Sequence, residues 1–282
     1  MSWLTLAAVV LVILSGLIHS VWNLFAKQSI NKNVFLWCCQ LAAILIFLPM
    51  SVIELRTIDT VPLVGYLLLL ASMILHGIYI FLLAKTYTIG DLSQVYPIMR
   101  GTSPLFVPII GVLMLGENLS IQGWIGIIMI VIGIFLTGDI NTKWRFNKPI
   151  LLAIMVGLII TSYTVVDKIT LNYIPAFTLN EATNIGNLIA LTFLTMRSQG
   201  IRTEWRVNWK TIILGGILAP GGYLLFLKAL ELQPVSQIAP MREIGTVFGT
   251  IFGVFLLNES QGRNRIIASI IITAGIIMLA YQ

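Results

Sequence analysis

Ser93-Gln94-Val95-Tyr96-Pro97-Ile98-Met99-Arg100 returns, one residue shorter, as Ser236-Gln237-Ile238-Ala239-Pro240-Met241-Arg242. Beyond it, at a constant offset of 142, Phe106, Gly111, Val112, Leu115, Glu117 and Gly133 recur as Phe248, Gly253, Val254, Leu257, Glu259 and Gly275. Upstream, Lys85 recurs as Lys228 and Lys27 as Lys168. The copies divide the 282-residue chain near its midpoint, into 1–141 and 142–282, and both are strongly apolar. A membrane chain built from two related halves is the sequence signature of a secondary transporter.

Composition sets the class. Hydrophobic residues make up 58% and charged residues 10%, with a mean hydropathy of +0.96. A soluble domain carries roughly 25% charge, so this chain lacks the polar surface to face water. Stretches of roughly 20 apolar residues cross a bilayer. Ten can be marked, at 3–24, 34–53, 62–83, 92–115, 121–138, 149–167, 174–196, 211–230, 234–257 and 263–281. They are too long and too uniformly apolar for the alternating strands of an outer-membrane barrel. The expected fold is all-α and integral to the membrane, with no appended soluble domain. The first span is long and lacks a small-residue cleavage pattern, so it reads as a retained helix rather than a signal peptide. Cys38 and Cys39 are adjacent, which suits packing rather than a disulfide or a metal site.

Five helices per half is an odd number, so the second half enters the membrane upside down relative to the first. That is the inverted-repeat arrangement. The loops after the odd-numbered spans hold Lys27, Lys32, Lys85, Lys143, Arg145, Lys148, Arg197, Arg202, Arg206, Lys210, Arg263 and Arg265. The opposite loops hold Arg56, Lys168 and Lys228. Twelve against three places the odd loops in the cytoplasm of a cell membrane and both termini outside. The net charge of +6 follows from this bias and implies no nucleic-acid partner.

A family resemblance rests on several motifs. His19-Ser20-Val21-Trp22-Asn23 is followed by Lys27; Gly90-Asp91-Leu92-Ser93 leads to Tyr96-Pro97 and Arg100-Gly101; Leu115-Gly116-Glu117 closes the fourth span. With Tyr163-Thr164-Val165-Val166-Asp167 and Met241-Arg242-Glu243, the chain resembles the EamA-like branch of the drug/metabolite transporter superfamily, closest to phosphonate-utilisation-associated membrane proteins. The resemblance covers essentially the whole chain. It implies a ten-helix inverted-repeat fold with a central cavity, and leaves the substrate open among amino acids, nucleotide sugars, amines and other metabolites.

An intramembrane charge costs roughly 2.5–3.5 kcal/mol on insertion scales, so each one asks for a reason. Arg100 and Arg242 lie about two turns into the fourth and ninth spans, each just after a proline that removes a backbone donor. They can face a central cavity and bind the oxygens of phosphonate, phosphate or carboxylate. Alternatively they form an internal ion pair with Glu243 or Glu181. His19, Trp22 and Asn23 share one helical face, and His19 can take up a proton and couple transport to it, or simply hydrogen-bond a neighbouring helix. His76 and Tyr79 form a similar pair; Tyr96, Tyr163, Trp22 and Tyr223 can line an aromatic cavity. Asp167 adjoins Lys168, which suggests a local pair or a gate. Glu181, with Asn184 three residues on, is the carboxylate best placed for proton coupling, or a counter-ion to an arginine.

Glu117 and Glu259 are repeat mates with an expected structural role, capping the helix that follows each. Gly123, Gly126 and Gly133, and Gly245, Gly249 and Gly253, permit close helix approach, with Gly249 and Gly253 at small-xxx-small spacing. No phosphate-binding Gly-x-x-x-x-Gly-Lys-Ser/Thr loop occurs, so transport would draw on an ion or solute gradient. No metalloprotease, serine-hydrolase or Cys/His metal motif occurs, which argues against an enzyme and against a metal or cofactor. The expected partners are a small-molecule substrate, the lipid bilayer and protons, in a monomer or homodimer. The alternatives are a flippase for a lipid-linked head group and an exporter of amino acids or amines.

Overall fold

The computed structural model describes residues 3–58, 60–90, 92–138, 147–198, 200–256 and 263–282. These form helices and short connections, with no strand among the described residues. The first half holds α1 (Trp3–Gln28), α2 (Lys32–Leu55), α3 (Leu63–Ile89), α4 (Leu92–Leu115) and α5 (Ile121–Leu136). The second holds α6 (Lys148–Thr170), α7 (Ala176–Met196), α8 (Ile201–Leu232), α9 (Val235–Met241), α10 (Ile244–Leu256) and α11 (Arg263–Ala280). Six of them, α1, α2, α3, α4, α6 and α8, are long and apolar enough to cross a membrane by length and composition; α5 and α11 are shorter apolar helices.

Two of the expected spans differ from the structure. The ninth, 234–257, is not one helix: it breaks at Arg242 and Glu243 into α9 and α10. Around the break the amides of Arg242, Glu243, Gly245 and Thr246 reach back three residues, to Ala239, Pro240, Arg242 and Glu243. That tighter turn is the geometry a helix adopts where its regular ladder is interrupted; Pro240 lies inside α9, two residues before the break. The eighth span starts earlier than expected, at Ile201, and passes through a non-helical Asn208.

Helix starts are set by side chains. Asn31, Ser120 and Asn147 cap α2, α5 and α6 by accepting from amides of the first turn. α7 and α9 follow Pro175 and Pro234 and have no side-chain cap of their own. Their free amides are taken instead by distant carboxylates. Glu54 accepts from the amides of Phe177 and Thr178, and Glu117 from those of Val235 and Ser236. A carboxylate there also meets the positive end of the helix dipole. This corrects the expectation for Glu117, which caps α9 rather than α5. Glu259 lies outside the described residues.

The packing joins the two halves throughout. α1 lies on α8 and α3 on α6; α2 lies on both α7 and α8, and α3 on α7; α4 packs on α6 and α9, α1 on α10, and α5 on α11. With α6, α7, α8, α9–α10 and α11 matched in order to α1–α5, this pattern survives exchange of the halves. In two of the matching pairs the contacts show an antiparallel course. On α5 and α11, a Cβ on Gly126 would lie 2.7 Å from the Gly275 carbonyl oxygen, and one on Gly133 3.0 Å from that of Ala268. On α2 and α7, Ser51 meets Thr178 and Trp37 meets Thr192. Gly249, expected to permit close helix approach, has open space around it. Cys38 and Cys39 are buried, unbridged, and packed with Phe35 and Ile212.

Candidate functional site

The break between α9 and α10 turns two charged neighbours in different directions. Glu243, 5% exposed, reaches Arg100 on α4, with its Oε2 3.5 Å from Arg100 Nε. The same oxygen accepts from the Thr246 hydroxyl at 3.1 Å. Arg100 Nε has no aligned hydrogen-bond partner, so the contact is an ion pair rather than a well-formed hydrogen bond. Arg242 turns the other way and lies over the rings of Phe226 and Tyr223, at 4.4 and 5.0 Å from their centroids. Both are cation–π distances. Arg100 likewise stands 6.0 Å from the Tyr96 ring. α1 joins the break through Ser20, whose hydroxyl donates to the Gly245 carbonyl at 2.6 Å, and α4 packs on both α6 and α9.

Tyr223 links this centre to a second cluster. Its hydroxyl donates to Asp167 and lies 3.2 Å from His76 Nε2. Asp167 is fully buried; it also accepts from the Ser72 hydroxyl and lies 3.1 Å from His76 Nε2. His76 stacks on Tyr163 with centroids 4.0 Å apart, and Tyr79 meets Tyr163 edge-on at 5.6 Å. A carboxylate so deep is tolerated when its lone pairs are filled, and here three groups from α3 and α8 fill them. Asp167 does not pair with its neighbour Lys168. Lys168 donates instead to the carbonyls of Leu230 and Gln233 at the end of α8.

His19 and Trp22 on α1 form an internal pair, with Trp22 Nε1 donating to His19 Nδ1 at 3.3 Å. Both are half-buried, whereas Asn23 is exposed. The side chain of Lys27 lies outside the described residues.

Glu181 and Asn184 stand apart from the arginines. Asn184 Nδ2 lies 3.4 Å from Glu181 Oε2, while Glu181 Oε1 has no hydrogen-bond partner. Neither do both polar atoms of Asn180, nor Asn187 Oδ1, nor Gln40 Oε1 on α2. Asn180, Glu181 and Asn187 each lie three or four residues from Asn184, so the four make one continuous polar patch on α7. An unpaired buried polar group costs about 1–3 kcal/mol, and such groups in a membrane mark pathways for polar solutes or protons.

The structure therefore gathers Arg100, Arg242, Glu243 and Tyr96 at one centre, joins His76, Tyr79 and Tyr163 to it through Tyr223, pairs His19 with Trp22 on α1, and leaves Glu181 and Asn184 in a separate polar patch. Ser72 and Phe226 were not singled out in the sequence. Spacing could have drawn them in, since Ser72 lies one turn before His76 and Phe226 one turn after Tyr223.

The EamA-like transporter family pattern matches residues 6–138 and again 147–281. An S-adenosylmethionine uptake transporter of Rickettsia prowazekii is 22% identical over 219 residues, which is 74% of this chain and 71% of that protein. A protein of Lactobacillus johnsonii provisionally named for sugar uptake is 28% identical over 201 residues, 66% of this chain and 67% of its own length. A solved crystal structure superposes with a TM-score of 0.77 at 13% identity, over 96% of each chain; that likeness concerns the fold alone.

Proposed function

Since the chain belongs to the EamA-like transporter family of the drug/metabolite transporter superfamily, we propose that it is a secondary transporter for a small polar metabolite bearing an anionic group. Its ten spans form two inverted five-helix repeats, divided near residues 141 and 142. The exchange-symmetric packing and the antiparallel course of α5 with α11 and of α2 with α7 support that reading. Helices so paired are related by an axis in the membrane plane, and rocking of one repeat against the other opens the site to each side in turn.

One observation carries the site. Arg100 belongs to the first repeat, and its ion-pair partner Glu243 and the adjacent Arg242 belong to the second, so the charges bridge the halves. Glu243 offsets Arg100, whereas Arg242 rests on ring faces with no carboxylate at ion-pair distance among the described residues. A guanidinium resting on ring faces directs its in-plane donors away from the rings, toward a planar oxygen pair of a carboxylate or phosphonate. Tyr96, Tyr163 and Trp22 supply the apolar walls. The named relatives carry quite different solutes, so the side chains of this centre rather than the fold would choose among them.

His19 and Glu181 are the candidate proton carriers. The test is uptake of radiolabelled solutes into proteoliposomes, after a thermal-shift screen of phosphonates, carboxylates, amines, sugars and S-adenosylmethionine has picked the solute. Wild-type protein should accelerate its uptake under a pH gradient and Arg242→Ala should not. Rates unchanged in Glu181→Gln and His19→Ala would remove those two from proton coupling while leaving the arginine site standing.

A further inference from the structure

We propose that the groove between α3 and α7 binds one anionic phospholipid of the surrounding membrane, with an acyl chain in the groove and the phosphate at Lys85 and Arg197. The groove encloses about 470 Å³ and its lining, Met73, Ile74, Gly77 and Phe81 with Gly186 and Phe193 among others, is almost wholly apolar. Two glycines create it. A Cβ on Gly186 would fall 2.2 Å from the Met73 carbonyl oxygen, and one on Gly77 3.1 Å from that of Gly186. The helices thus touch at their backbones along the floor. Ile74 and Ile78 on one rim and Ile189 and Phe193 on the other stand exposed. What remains is a trough open to the hydrocarbon, with no polar group to receive a head group or a hydrophilic solute.

Its length and its ends suit a single lipid. From Met73 to Leu82, nine residues at about 1.5 Å each span about 14 Å, close to half of a roughly 30 Å hydrocarbon core and so to one leaflet. α3 and α7 run the same way here, since Gly65 lies against Tyr173 and Gly77 against Gly186 and Ala190. Their basic residues therefore emerge at the same end. Lys85 follows Leu82 by three residues and is exposed. Arg197 follows Phe193 by four, and its guanidinium is held 4.4 Å over the Phe193 ring, at the mouth of the trough. Nearby, α8 begins with exposed Arg202, Trp205, Arg206 and Trp209, the basic and aromatic side chains that settle at head-group level. An apolar wall closed by a guanidinium and an ammonium is complementary to an acyl chain under a phosphate. Because α3 belongs to the first half and α7 to the second, an occupant fills the seam between them.

This assignment stands apart from the transport reading and needs no transported solute to test. Native mass spectrometry of the protein in mild detergent, titrated with palmitoyl-oleoyl phosphatidylglycerol or the matching phosphatidylcholine, reads it directly. Wild-type protein should prefer phosphatidylglycerol. Arg197→Gln and Lys85→Gln should each weaken phosphatidylglycerol about fivefold, with little change for phosphatidylcholine. Ala190→Phe, which fills the trough, should weaken both lipids; thermal melting confirms that each variant is folded. Equal affinity for the two lipids, or phosphatidylglycerol binding untouched in the double charge variant, would overturn the proposal. So would full lipid binding by a folded Ala190→Phe, because the head group would then be held elsewhere.

Discussion

Replacing the Glu243 carboxylate with an amide leaves the largely buried Arg100 side chain without its counter-charge. Removing one partner of a buried ion pair costs about 3–5 kcal/mol, far more than removing both. Glu243→Gln should therefore lower the melting temperature markedly, and the double variant Glu243→Gln with Arg100→Met should recover much of the loss. Equal melting of the single variant and wild type would show that the pair is not holding the halves together. Arg242 differs, because its support comes from Tyr223 and Phe226, and Arg242→Ala should cost less stability. The two arginines and Glu243 were legible in the sequence because a charge at membrane depth is conspicuous. The Asp167 cluster was not, since Asp167 sits beside Lys168 in sequence and its partners Ser72, His76 and Tyr223 lie 95, 91 and 56 residues away.

At the scale of elements, close backbone contact between α5 and α11 locks the repeat mates together. Gly126→Ala would set a Cβ 2.7 Å from a carbonyl oxygen, and overpacking of that kind costs about 1–3 kcal/mol. Gly249→Ala should be close to neutral, because nothing stands within 4 Å of the added carbon. Melting curves of the two variants separate a tight crossing from an open one, and the reverse order of stabilities would refute it. Apolar run length predicted nearly every helix, as expected where the bilayer fixes span length. It could not separate Pro97 from Pro240. α4 continues through Pro97, Pro104 and Pro108, whereas the second copy breaks two residues after Pro240. At the break Glu243 reaches Arg100 and Arg242 lies on aromatic faces, contacts that run length does not encode. Small-residue spacing likewise marked Gly249 and Gly126 alike, although only Gly126 meets another helix.

For the whole molecule, the repeat read from Ser93–Arg100 and Ser236–Arg242 accounts for how the halves embrace, and the basic-residue bias proposes which way they sit. Reporter fusions at Gln282 should place the carboxyl terminus outside; a cytoplasmic signal would reverse the orientation. The central claim is that charges shared across the seam bind a solute that the two halves then carry over the membrane. Uptake into proteoliposomes by wild type and Arg242→Ala, both confirmed as folded, tests it most directly. The account predicts uptake by wild type of at least one anion-bearing solute and a loss of tenfold or more, about 1.4 kcal/mol, in the variant. Uptake by Arg242→Ala at the wild-type rate would contradict it.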